Sequence, residues 1–295
     1  MTDDSHAILQ TIAYSDIFDH PLTAREIHRY LFGLQASFDD VCRVLEKESV
    51  LVRTGKYFTL PGRETIIPIR LERETRSRKL LPRAMQYGRI LASLPFVRMV
   101  ALTGSLAVLN VSKKDDFDYM LITVPGRVWT ARAFAVLFNR VVKLLGHTIC
   151  PNLIVSEKKL DWPLHDLYSA RELCQMIPVA GFDRYQKLLR ANQWAKDFLP
   201  NAFSDDLPFE NYQRQGSVLQ KILELLLGRE LGDRLENWEM NRKIARFSQQ
   251  EGFGEETVFN ADLCQGNFHH HRNWTRVVFE DRLRDFQAYL PLGEG

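Results

Sequence analysis

Residues 103–124 read TGSLAVLNVSKKDDFDYMLITV. A glycine and a serine follow the apolar run MVAL at 99–102, and ten residues later Asp116-Phe117-Asp118 opens a second apolar run. In an extended strand residues i and i+2 share a face, roughly 7 Å apart at about 3.4 Å per residue. Asp116 and Asp118 therefore converge, while Phe117 and Tyr119 point into a core. Two carboxylates this close repel, and burying them is costly without a cation or hydrogen bonds. Magnesium is typically held by one or two carboxylates plus substrate phosphates. Beside them, the Gly104-Ser105 corner offers close backbone approach and first-turn amides suited to a phosphate. Lys113 and Lys114, in the loop between, either neutralise phosphate charge or belong to a solvated loop.

Working outward, short apolar runs predict strands at 98–102, 117–124 and 148–155, with helices at 105–110 and 128–145. This is the pattern of a small mixed-sheet core at 95–160. Upstream, residues 1–64 form a unit of their own. Helical spacing in HAILQTIAYSDIF, a capping box at Thr23 and Glu26, a third helix from Phe38 to Glu48 and a hairpin at Thr54-Gly55 follow the order of a winged helix. The third helix, SFDDVCRVLEKES, carries more acid than base. A DNA backbone would meet repulsion there, so packing or dimerisation fits this unit better.

Residues 65–94 read as a connecting helix rich in arginine, closed at Ser93-Leu94-Pro95. Its arginines either lace a solvated face with i,i+4 ion pairs or form a basic wall for a phosphate-bearing substrate. From 161 to 295 the pattern is almost wholly helical, with segments near 169–176, 183–198, 217–241 and 273–289. The predicted class is α+β, a small sheet core flanked by an N-terminal winged-helix-like unit and C-terminal helices.

The 295 residues suffice for two or three domains. A net charge of +2 implies no nucleic-acid or membrane partner by itself. Cys42, Cys150, Cys174 and Cys264 are scattered, which argues against a disulfide framework or a structural zinc site and for a reducing, cytoplasmic setting. No signal-peptide pattern or membrane-length apolar run is present.

Gly104-Ser105, the ten-residue spacer and Asp116-Phe117-Asp118-Tyr119 resemble the signature of the DNA polymerase β-like nucleotidyltransferase superfamily. PGRVWTAR (125–132), CPNLIVSE (150–157), DLYSARELCQMIPVAG (166–181) and ANQWAKDFLPN (191–201) are similar to a bacterial branch with this fold. The resemblance implies transfer of a nucleoside monophosphate from ATP or another NTP to an acceptor such as a small molecule, a tRNA end or a protein side chain. It implies that Gly104 and Ser105 hold the triphosphate, and that Asp116 and Asp118 bind Mg2+ or Mn2+. The family's third carboxylate corresponds to Asn152, which can lend a metal a carbonyl oxygen but cannot act as a base. Glu157 falls on the opposite strand face. Two functions follow as expectations: a nucleotidyltransferase, or a catalytically silent nucleotide sensor or scaffold.

Other features carry less. His269-His270-His271 diverge too much for a zinc site, though one could accept a proton near a cleft. Trp129, Trp162 and Trp194 read as packing residues. Arg127 and Arg132 are expected on the surface, with the cleft as the alternative. The chain has no GxSxG, Walker or GxGxxG motif.

Overall fold

The computed structural model describes residues 3–113, 116–203 and 218–287. Its first unit comprises α1 (Asp3–Asp16), β1 (Leu22–Thr23), α2 (Ala24–Arg29), α3 (Phe38–Lys47), β2 (Val52–Thr54) and β3 (Tyr57–Thr59). Thr23 caps α2 as its spacing predicts: its hydroxyl accepts from the Glu26 N–H, and the Glu26 carboxylate accepts from the Thr23 N–H. The three strands form an antiparallel sheet with β3 in the middle. Ile8, Ile12, Leu22, Ile27, Val41 and Phe58 fill the core beneath it.

A 27-residue helix, α4 (Ile66–Ala92), ends at Ser93 as expected. The arginines of its first half, Arg70, Arg73, Arg76 and Arg78, make ion pairs. Arg76 and Arg78 bind Glu72 and Glu74 one turn back, and Arg73 donates to the Phe18 carbonyl. Arg70 is buried, donating to Glu26 at 2.7 Å and packed against the His20 ring. Burial and the neighbouring Arg70 charge push the His20 pKa well below its ordinary value. The first unit is thus fastened to α4 by a buried polar cluster.

Then come β4 (Val97–Leu102), α5 (Gly104–Ala107), β5 (Phe117–Thr123), α6 (Val128–Leu144), β6 (Ile149–Ser156), α7 (Leu167–Gln175), β7 (Ile177–Ala180), α8 (Phe182–Ala191) and α9 (Ala195–Phe198). The chain continues through α10 (Val218–Leu227), α11 (Glu230–Phe247), β8 (Thr257–Phe259), β9 (Leu263–Gly266) and α12 (His271–Gln287). The central sheet has the order β7-β4-β5-β6-β9-β8, with β5 and β6 parallel and the other neighbours antiparallel. The class is mixed α and β, with a mixed sheet.

Three strands depart from the helical reading of the C-terminal part. IPVA pairs with β4, and the 257–266 hairpin extends the sheet beyond β6, so the sheet draws on residues past 160. These are short edge strands, too brief for a period-2 pattern to stand out. Likewise the 183–198 segment breaks at Asn192, and the 217–241 segment breaks at Gly228.

The sheet separates two cores. Val100, Leu102, Phe117, Tyr119, Leu121 and Ile154 pack under α4 and α6 together with Trp129. Met99, Ala101, Met120, Ile122 and Val155 pack on the other side against Tyr14 of α1 and Ala170 and Leu173 of α7. Phe117 and Tyr119 therefore enter a core, as alternation predicts, and Asp118 shares the face of Met120 and Ile122.

Candidate active site

The β4–α5 corner and the start of β5 meet edge to edge. The Thr103 N–H donates to the Asp118 carbonyl at 2.9 Å, which joins the end of one strand to the head of the other. Gly104 takes φ +65°, a conformation that L side chains rarely adopt. A Cβ there would lie 2.4 Å from the Asp118 Oδ2 atom. Only glycine lets the carboxylate sit against this backbone. Asp118 is half-buried, and Asp116, two residues earlier, is exposed.

Ser105 is half-buried, and its carbonyl accepts from the Asn110 N–H at 2.8 Å. The helix it belongs to is one turn long, ending at Ala107 rather than at 110. The corner thus offers backbone amides at a tight turn and little macrodipole. Thr103 at its head is buried, with its hydroxyl unpaired.

Lys113 is exposed and lies 3.8 Å from Glu72 on α4, so it completes a surface ion pair rather than reaching toward Gly104. Lys114 lies outside the described residues, as does Asp115.

The register of β6 departs from strict alternation. Asp118 pairs with Cys150 on β6, and Met120 pairs with Leu153. Two steps along β5 match three along β6, so β6 carries one extra residue between these pairs. Cys150, not Asn152, stands opposite Asp118. Burial first, then the charges of Asp118 and Asp116, push the Cys150 thiol up to about 12, and it donates a hydrogen bond to Asp118. It is therefore a neutral donor at physiological pH. Leu153 packs on the Asp118 side of the sheet. Asn152 lies within this irregular stretch, and its Oδ1 is buried without a hydrogen-bond partner. Glu157 is taken by Arg184, whose Nε donates at 2.8 Å. Among the described residues, no group of three His, Cys, Asp or Glu side chains could hold a metal ion.

Tyr168 of α7 enters the neighbourhood. Tyr168 and Glu172 are one helical turn apart and both half-buried. Burial raises the Tyr168 phenol well above its ordinary value, and the charges of Glu172, Glu256 and Asp118 add to the shift. The Tyr168 phenol is therefore within electrostatic reach of both the β5 acid and the α7 acid. Burial, only partly offset by Arg171, pushes Glu172 up to about 7. Sequence gave no role to this pair, because nothing in DLYSAREL shows which face of the helix meets the sheet.

Arg127 is not on the surface, and the half-buried Arg132 is close enough for its charge to act on Cys150 and Cys264. Arg127 is buried, paired with Asp233 at 2.7 Å and stacked on Phe96, and Arg132 lies over Phe247. His271 opens α12, whose first amides, those of Arg272 and Asn273, donate to Glu256. Burial and the neighbouring His269 lower the His271 pKa, leaving it a neutral ring at pH 7. No helix among the described residues is long and apolar enough to cross a membrane. No family model, curated protein or solved structure matches the chain.

Proposed function

We propose that the chain is a metal-dependent nucleotidyltransferase, moving a nucleoside monophosphate from a nucleoside triphosphate to an acceptor hydroxyl. One observation carries the reading: the Asp118 carboxylate sits against a positive-φ glycine that no other residue could replace without displacing it. Such contact keeps a strand-borne acid and a phosphate-sized backbone corner in one place.

The donor set suits magnesium, since Asp116 and Asp118 supply two carboxylates and substrate phosphates complete an oxygen shell. Bound there, the ion would neutralise charge on the triphosphate and the departing pyrophosphate. Gly104 and Ser105 would orient the phosphates. The acceptor oxygen forms its bond to the α-phosphorus as the bridge to the β-phosphate breaks, and that electron pair leaves with pyrophosphate. The acceptor proton passes to a non-bridging phosphate oxygen of the substrate or to solvent. The N-terminal unit, with the element order of a winged helix, fits a packing role better than DNA contact: α3 exposes Asp39 and Glu46 beside Arg43 and Lys47.

A second reading, a nucleotide sensor without turnover, is favoured by Cys150. A protonated thiol opposite Asp118 stands where a third carboxylate would complete a two-metal site. The test is pyrophosphate release with Mg2+ and each of the four NTPs, with and without a cell extract as the source of acceptor. The transferase reading expects release that drops at least 1,000-fold, to the order expected for lost metal ligands, in Asp116→Asn and in Asp118→Asn. Nucleotide binding with no release under any condition establishes the sensor instead.

A further inference from the structure

Helix α10 is built inside out. Two of its three polar side chains face the body of the protein: Gln220 is buried and donates to the Leu94 carbonyl at 2.9 Å. Glu224 accepts from the Phe96 N–H at 2.7 Å and from both Arg98 terminal nitrogens, at 2.8 and 3.0 Å. The opposite stripe, at helical spacing, is apolar and open to solvent. Val218 is 74% exposed, Leu219 65%, Ile222 48%, Leu225 65% and Leu226 61%. An amphipathic helix packed on its own domain shows the reverse arrangement.

A second exposed apolar stripe begins on α11, where that helix abuts α10. Gly232 approaches so closely that a Cβ on it would overlap the Leu227 carbonyl, which brings the start of α11 against the end of α10. Leu231, Leu235 and Trp238 then follow at i, i+4 and i+7, all exposed. Together the two helices show apolar surface on the order of 800 Å2. That exceeds the roughly 300–600 Å2 patch of a typical monomer and matches one partner's share of a standard interface. The rim carries both signs, Lys221, Arg229 and Arg234 beside Glu230 and Asp233, rather than the basic belt of a helix that lies on anionic lipid.

We infer that this face joins a second copy of the chain. A two-fold axis across the middle of α10 sets Ile222 against Ile222 of the other copy, with the Val218–Leu219 end of each helix over the Leu225–Leu226 end of its mate. Such an isologous pairing buries both stripes at once and closes at two subunits. The inference is independent of the nucleotidyl-transfer reading.

Sedimentation equilibrium of the full chain at 1–50 µM tests it, expecting a species of twice the 34.3 kDa chain mass. Leu225→Glu with Leu226→Glu should raise the dimer dissociation constant on the order of 100-fold while leaving the far-ultraviolet spectrum and melting midpoint unchanged, since both side chains are exposed. In a Cys42→Ser background, Ile222→Cys should form an intermolecular disulfide under mild oxidation, whereas Leu137→Cys on the far stripe of α6 should not. A monomer throughout the range overturns the inference, as does a dimer that survives the double substitution or fails to cross-link through position 222. Sedimentation of the monomer with vesicles of 30% phosphatidylserine would assign the face to lipid and overturn it equally.

Discussion

Replacing Gly104 by alanine tests the contact on which the candidate site depends. Two costs arise, and they are separable. Holding an L residue at φ +65° costs about 1–2 kcal/mol. The new methyl group would also stand 2.4 Å from the Asp118 Oδ2, so the carboxylate or the corner must shift, an overpacking cost of about 1–3 kcal/mol. The sum, about 2–5 kcal/mol, is large against ordinary folding stability. Gly126 supplies the control. Its φ is +71° and nothing lies within 4 Å of its notional Cβ, so Gly126→Ala bears only the backbone cost.

Urea unfolding of the two single variants, and of each combined with Asp118→Ala, isolates the steric part. Gly104→Ala is expected to exceed Gly126→Ala by about 1–3 kcal/mol, and that excess should shrink when Asp118 is already alanine, leaving only the 3.2 Å approach of the residue 118 Cβ. The Gly126 value should not change in that background. Equal losses at the two glycines, or a Gly104 excess undiminished without the Asp118 carboxylate, would refute the contact and with it the pairing of acid and corner.

Glu172 predicts a pH dependence of the opposite sign to that of a salt-bridged acid. Its carboxyl keeps a proton to about pH 7 in the folded chain against 4.5 in its ordinary state, so the folded chain binds more protons between those values. Stability should fall as pH rises from about 4.5 to about 7 and stay lower above it. Glu172→Gln should flatten that slope and gain on the order of 1–3 kcal/mol at pH 8, as read by thermal or urea melts. Glu236 accepts from the Trp129 and Thr130 N–H groups at 2.8 and 2.7 Å at the start of α6. Glu236→Ala leaves those buried donors unpaired and should lower stability by about 2–3 kcal/mol in the same assay. Cys150→Asp sets a third carboxylate opposite Asp118. Manganese binding followed by electron paramagnetic resonance should tighten about tenfold or more, while the metal-free variant melts lower from like-charge repulsion.

The centre of the fold was legible because its signals are local. Alternation in DFDYMLIT assigned Phe117 and Tyr119 to one core and the aspartates to the other face, and Thr23 with Glu26 marked a helix start that formed as read. The edge strands β7, β8 and β9 were not legible. With three or four residues each, they acquire strand geometry from the partner they pair with rather than from their own pattern. Long cationic side chains were only partly legible. Arg127 was expected at the surface and is buried against Phe96 and Asp233, and Lys113 is taken by Glu72. Which acid or ring a long cationic side chain finds is decided by packing between elements remote in sequence.

The site itself shows where such reading must stop. Counting along TICPNLIVSE with strict alternation gives no means of choosing Cys150 over Asn152 as the partner of Asp118, since both are even-numbered and would share a face. The bulge breaks that equivalence: one extra residue in β6 restores the register for Leu153, Ile154 and Val155, all of which pack as expected, while the residues before it change sides relative to those after. The apolar pattern that fixes the rest of β6 is thus silent about the three residues nearest the chemistry. A proline at 151 interrupts the pairing at that point, since it has no N–H to give to a ladder. The residue opposite Asp118 is consequently set by a backbone irregularity, and a buried thiol held up to about 12, rather than a second acid, faces it.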